Sequence, residues 1–309
     1  MSFFTTTEWT KYLNIVKNIK NITIDNKNFP KNGNEIGKLF SNFLEFENNF
    51  KISNHFLTSI DHFCQNNNID SIHFRFHPSL HPHQIPLKIL LNNNWTISNG
   101  VTLLIDLKQS QQELWKKLRK RYKSTINKQN KLYHYKILDY SNNSSKYFND
   151  WVELYANNLK GIDKNKYPTM FNFHHQLIEK NKAILVLGYD TEQAIGGMFF
   201  TFDKSHANYS FGANNPSAHN IGHSIMWHAI EELKERGLKS LELGGLSYKN
   251  QISTAFNLKN SNITHFKEGF PADLCPVYFF SKLYTDSAKQ NYIKTLKENL
   301  DSNKANYEL

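Results

Sequence analysis

The sequence predicts an α+β fold, and three observations carry that prediction. The second half of the chain reads as a strand meander followed by helix, strand, helix and strand. The first half offers strands set between helical stretches, and no exact internal repeat appears. Hydrophobic residues make up 39% of the chain and aromatics 14%, which suffices for a sizeable core and excludes wholesale disorder. At 309 residues there is room for two domains of ordinary size.

Taken in order, the first helical pattern covers Glu8–Ile19, where Trp9, Tyr12, Leu13 and Val16 recur at helical spacing. Weakly patterned stretches punctuated by Asn follow. Ser53 to Phe63 reads as a helix with Phe56, Ile60 and Phe63 on one face. Ser71–Phe76 alternates as a strand and stops at His77-Pro78. A helix fits Gln84–Leu91, with Pro86 in its first turn. Val101–Leu107 is a second, nearly continuous apolar strand. Ser110 to Glu113 spells a capping box, in which the Glu side chain reaches back to the N–H of the cap. Leu114, Leu118, Tyr122 and Ile126 then follow at i+4 steps and predict one helix running to about Lys131. A change of composition at Asp139–Tyr147 marks the expected boundary between domains 1–141 and 142–283.

Beyond it, Trp151–Leu159 and Thr169–Glu179 read as helices. The strands Ala183–Gly188, Ala194–Phe202 and Ala207–Phe211 form the meander, with turns at Asp190-Thr191 and Asp203-Lys204. A helix from Ile221 to Arg236 ends at Gly237, a residue suited to the left-handed cap. Leu238–Leu243 is a strand, Ile252–Leu258 a short helix, Cys275–Phe280 a strand, and a polar helix closes the chain over 284–309.

The charge balance is 37 basic against 27 acidic residues, or +10. That excess suits a polyanionic partner such as tRNA, a nucleotide-linked substrate or an acidic membrane surface, and it equally suits plain solubility. No window approaches about twenty consecutive apolar residues, so no membrane-spanning helix is expected. The first residues lack a secretory signal pattern, and a cytoplasmic location is the expectation. Cys64 and Cys275 are too few for a disulfide framework or a four-thiolate zinc site, and they read as buried packing residues. No phosphate-binding Walker loop, dinucleotide glycine fingerprint or nucleophile elbow is present.

The run LLIDLKQSQQELWKKLRKRYKSTINKQNK resembles the strand and basic helix of the Fem-type aminoacyltransferases. The later stretch AIGGMFFTF…ANYSFGA…IMWHAIEELKERGLKSLELGG resembles the second GNAT-like domain of those enzymes, and HFKEGF at His265–Phe270 is similar to their Phe-Lys-x-Gly-Phe signature. These segments lie in the right order over roughly residues 70–280. The resemblance implies two tandem GNAT-like domains, each a mixed central sheet flanked by helices, with a substrate cleft between them. It also implies a C-terminal helix that packs on the first domain, with the donor site in the second. The best-known members move an amino acid from its tRNA ester to an amine on a peptidoglycan precursor. An aminoacyl-tRNA donor, an amine-bearing acceptor on a nucleotide- or lipid-linked cell-envelope precursor, and peripheral membrane contact are the implied partners. No metal and no further cofactor are implied.

Several residues are candidates for that chemistry. Acyl transfer from an ester passes through a tetrahedral oxyanion, which a fixed cation stabilises. The resemblance puts Lys267 at the donor site, with Phe266 beside it. Without it, Lys267 reads as a surface residue at a strand end. Leu241–Gly245 closes a strand on Gly244 and Gly245, which lets a ligand approach the backbone closely and presents Glu242 as a candidate general base. The same five residues also make an ordinary turn. Tyr209 is a candidate to hydrogen-bond donor or acceptor, or a half-buried strand tyrosine. Arg75 is a candidate clamp for an acceptor phosphate or carboxylate, or one half of a surface ion pair.

Lys120, Arg121 and Lys123 on the basic helix are candidates for tRNA or phosphate contact, the alternative being a solvated face. His77, His81 and His83 have the look of a metal cluster, but no nearby Asp, Glu or Cys completes a set and no metal is expected. CoA-dependent relatives carry a glycine-rich pyrophosphate loop before the main helix. Here the matching stretch Asn214–Ser224 holds only Gly222, which favours tRNA over CoA, with His219 and His223 as other phosphate ligands. Two rival functions remain beside aminoacyl transfer. One is an N-acyltransferase using acyl-CoA or an acyl carrier on an amino sugar. The other is a non-catalytic RNA- or membrane-surface-binding module.

Overall fold

A computed structural model describes residues 52–76, 85–158, 167–218, 220–248 and 258–304, with 78, 165 and the backbone of five strands between 20 and 46. Those strands are β1 (Lys20–Ile24), β2 (Lys27–Asn32), β3 (Glu35–Ile36), β4 (Lys38–Leu39) and β5 (Asn42–Phe46). Next come α1 (Asn54–Asn66), β6 (Ser71–Phe76), α2 (Leu87–Asn92) and β7 (Thr96–Asp106). The middle of the chain forms α3 (Gln111–Lys117), α4 (Lys120–Leu132), β8 (His134–Leu138), α5 (Ser145–Ala156) and α6 (Tyr167–Glu179). A meander of β9 (Ala183–Asp190), β10 (Gln193–Phe202) and β11 (His206–Asn214) leads through α7 (Ile221–Glu235) to β12 (Ser240–Gly245). The described chain closes with α8 (Leu258–Lys267), β13 (Asp273–Leu283) and α9 (Asp286–Lys304). The protein is α+β, with mixed sheet flanked by helices.

By its contacts the chain divides into two compact units, Met1–Thr102 with Gly245–His265 and Leu274–Leu309, and Leu103–Gly244 with Phe266–Asp273. The division expected between 141 and 142 thus falls inside the second unit. The reason is that β8 pairs antiparallel with β9, and α4 is tied to α7 by Ser224 Oγ donating to Gln129 Oε1 at 2.5 Å. The C-terminal helix belongs to the first unit.

In the first unit, Ser53 caps α1, its hydroxyl oxygen accepting the N–H of Phe56 at 3.2 Å. Phe56, Leu57, Ile60 and Cys64 turn inward from α1 and meet Ile72 and Phe74 of β6. Phe74 stacks on Phe280 of β13 with ring centres 5.3 Å apart. β6 is flanked by β13 running antiparallel and by β3 and β5 running parallel. Asp61 on α1 accepts from Lys282 Nζ and Tyr284 Oη, both at 2.7 Å, which ties α1 to the end of β13.

In the second unit, β8 to β11 are antiparallel neighbours and β11 pairs parallel with β12 through the α7 crossover. Glycines let both helical layers approach this sheet closely. A Cβ on Gly196 would meet Ile221 of α7 at 2.7 Å, and one on Gly197 would meet Trp151 of α5 at 2.9 Å. Successive residues point to opposite faces, so α7 covers one face and α5 with α6 the other. On the α5 and α6 side, His174 stacks between Phe199 and Phe211, each 4.9 Å away.

Three expectations change against the structure. The single helix expected from Glu113 to Lys131 is broken at Leu118 and Arg119, both extended, into α3 and α4. The apolar stripe continues across the break, but a long-range contact overrides it: the N–H of Arg119 donates to the carbonyl of Gly269 at 3.0 Å. The capping box before α3 is present, Glu113 accepting from the N–H of Ser110 at 2.8 Å. Lys267 stands at the end of a helix, not a strand, and it is buried. Cys275 is only half-buried, whereas Cys64 is buried. The expected helix Glu8–Ile19, the residues His77, His81, His83 and His219, and all but the last residue of the expected helix Ile252–Leu258 lie outside the described residues.

Candidate active site

The second unit builds its candidate site where two parallel strands part. β11 and β12 pair from His206↔Ser240 to Asn208↔Glu242, while β11 continues to Asn214 and β12 to Gly245. A bulge in β11 lies just beyond the last pair, where Phe199 and Phe200 face Phe211 and Tyr209 and leave Ser210 extra. Register partners share a face of the sheet, so Asn208 and Glu242 project to the same side. That side is the α5 and α6 face, because Asn208 also pairs with Thr201, two residues along from Phe199.

Lys267, the last residue of α8, brings its ammonium to this place. Its Nζ lies 3.4 Å from where a Cβ on Gly244 would stand, and Gly244 itself has φ of +82°. The glycine supplies a backbone conformation that other residues adopt only under strain. Lys267 is 7% exposed, Glu242 2% and Asn208 6%, so three polar side chains are taken out of water together. Burial pushes the Lys267 ammonium down to about 8, and the Glu242 carboxylate partly offsets that fall. Near neutral pH the lysine is therefore a cation held in a dry setting, where its field on a developing negative charge is strongest.

Next to Lys267, the signature continues into aromatic packing. Phe266 lies 5.1 Å from Phe270 and 5.2 Å from His223, ring centre to ring centre. The Tyr122 hydroxyl donates to the carbonyl of Phe266 at 3.0 Å, and its ring occupies the space beside Gly269 that a side chain would need. His223, in the first turn of α7, hydrogen-bonds the carbonyl of Asn220 at 2.8 Å. Burial lowers its pKa, the bond to Asn220 works the other way, and the nearby Arg121 lowers it further. A Cβ on Gly222 would meet Met198 at 3.1 Å and Asn214 at 3.4 Å, so its bareness serves packing of α7 on the sheet.

Tyr209 follows Asn208 and turns to the opposite face of the sheet, where its ring packs on Phe200 and its hydroxyl sits over Gly212; burial pushes that phenol up to about 12. Arg75 belongs to the first unit, on β6 between Phe279 and Glu45 in register. Gly245 has open space where a side chain would be. Lys120 and Arg121 are exposed on the first turn of α4, while Lys123 donates to the carbonyl of Lys116 at 2.8 Å and so closes the end of α3. Arg119 lies over the ring of Tyr122, 5.5 Å from its centre. Sequence reasoning passed over Asn208. Its one signal was an Asn in the middle of a strand, a position that residue type tends to avoid.

Among the described residues no helix is long and apolar enough to cross a membrane, and no group of three His, Cys, Asp or Glu is placed to hold a metal ion.

No protein-family model and no curated protein matches the sequence. Solved structures do. FemX superposes with a TM-score of 0.65 at 12% identity, over 93% of this chain and 94% of its own. L-PGS from Bacillus licheniformis gives 0.61 at 12% identity, covering 94% of this chain and 96% of its own. A C-terminal DUF2156 domain from Agrobacterium fabrum gives 0.62 at 11% identity, over 93% and 91%. At such identities the likeness concerns the fold, and the chain has the Fem-type, GNAT-like fold of these proteins.

Proposed function

We propose that the protein is an acyltransferase that moves an aminoacyl group from aminoacyl-tRNA to an amine, on a cell-envelope precursor or another amine-bearing metabolite. The observation that carries this reading is the buried Lys267 ammonium beside Glu242 where β11 and β12 part. The amine nitrogen attacks the ester carbonyl and a C–N bond forms. Lys267 stabilises the resulting oxyanion. Glu242 takes the proton that the nitrogen sheds, the C–O ester bond breaks, and that proton passes to the departing ribose oxygen. Holding the two substrates together supplies much of the remaining acceleration.

The fold shared with FemX and L-PGS supports the transferase class. Exposed Lys120 and Arg121 suit a polyanionic donor. The filled space at Gly222 speaks against a CoA pyrophosphate seated at α7. A cytoplasmic location accompanies a charged-tRNA donor.

The test compares binding of charged and uncharged total tRNA with binding of acetyl-CoA as salt is varied. Salt-dependent binding that prefers charged tRNA supports aminoacyl transfer. Binding of acetyl-CoA without affinity for tRNA moves the protein to the acyl-CoA class. Equal binding of charged and uncharged tRNA, together with Lys267→Ala leaving biological activity intact, leaves a non-catalytic binding module. On the transfer reading that variant loses roughly 10²–10³ in rate.

A further inference from the structure

Asn208 carries an amide oxygen that nothing in its surroundings satisfies. The side chain is 6% exposed, and its Oδ1 is fully buried with no hydrogen-bond donor reaching it. Buried acceptors of this kind are rare in folded proteins, because an unmade bond costs free energy. The strand offers no structural reason to keep an Asn there: its register partner Thr201 shows that a self-satisfied residue fits this layer. Thr201 Oγ1 and Ser210 Oγ satisfy each other at 2.8 Å. What distinguishes Asn208 is its place, in register with Glu242 at the last paired position before the strands part.

We propose that Asn208 Oδ1 and the Glu242 carboxylate form a seat for a primary amino group, one of the two that meet in the transfer reaction. An amine brings two or three N–H donors and Asn208 lacks one, while a carboxylate accepts but cannot donate. The ammonium of Lys267, within Coulombic reach of Glu242, disfavours a second cation and so favours the amine in its neutral, nucleophilic form. The proposal rests on the transfer reading for which amine is meant. The chemistry of the seat is common to the attacking amine of the acceptor and the α-amino group of the donor.

The experiment follows backbone amide resonances of residues 208–210 and 242–244 while ethylamine, ethanol or alanine methyl ester is added. Saturable shifts with either amine, at least about tenfold weaker for ethanol, are expected, since one hydrogen bond is worth about a factor of ten. Alanine methyl ester binding more tightly than ethylamine assigns the seat to the donor α-amino group, and the reverse order to the acceptor amine. Asn208→Leu should weaken amine binding roughly tenfold while the melting temperature stays equal or rises, because a buried unmade bond has been removed. Equal responses to ethylamine and ethanol, or full amine binding by folded Asn208→Leu, would overturn the proposal. Binding of charged tRNA to the wild-type protein is measured separately, so a failure of the transfer reading leaves the amine result standing.

Discussion

Lys267 should make the protein less stable below pH 8 than it is above pH 10, and the size of that effect follows from its burial. An unfolded lysine titrates at 10.5 and the folded one at about 8. Between those values the unfolded chain binds the extra proton, so stability rises with pH, and below about 8 the full penalty is in force. A fall of about 2.5 pH units at about 1.36 kcal/mol each amounts to about 3 kcal/mol. With 7% exposure, little solvent screening reduces it. The informative variant is Lys267→Met combined with Glu242→Gln, since removing the lysine alone strands a buried carboxylate. Urea unfolding is followed by tryptophan fluorescence, three of the five tryptophans, Trp115, Trp151 and Trp227, lying in the second unit. Wild-type stability minus that of the double variant should climb by about 3 kcal/mol from about pH 8 to about pH 10.5. A difference flat to within about 0.5 kcal/mol, the usual spread of surface substitutions, would refute the claim that the ammonium is held in a dry setting.

The other predictions concern the same neighbourhood. Glu242→Gln removes the charge that sustains the lysine's proton, so the alkaline fall in transfer rate should move to lower pH than in wild type. A pH–rate profile on both proteins checks this, and an unmoved limb counts against the pairing. Gly244→Ala forces a side chain onto φ of +82° and should cost about 1–2 kcal/mol in urea unfolding, with Gly237→Ala, at φ of +77° in open space, as a matched control for backbone strain alone. Gly269→Ala places a methyl group inside the Tyr122 ring and should cost about 1–3 kcal/mol, and unchanged stability would show that the ring moves aside freely.

What could be read from the sequence was local. The Ser110–Glu113 box, the turn at Gly237 and the strand Ser71–Phe76 each depend on a few adjacent residues, and each appears where its pattern says. The α+β order follows from the same local signals, since hydrophobic period and turn residues are properties of neighbouring positions. The site was only partly legible. The signature at His265–Phe270 pointed to Lys267 and the double glycine to Glu242, and the structure brings those two together.

Contacts between distant segments decided the rest. A continuous apolar stripe runs through Leu118, yet Gly269 takes the N–H of Arg119 and splits the helix. Simple alternation puts Tyr209 and Phe211 on one face, but the extra residue at Ser210 separates them and places Phe211 on the face that Asn208 and Glu242 share. Whether Lys267 was a solvated cation or a buried one depended on β12 meeting its ammonium at Gly244, because burial is set by what the chain packs against and not by the residues on either side.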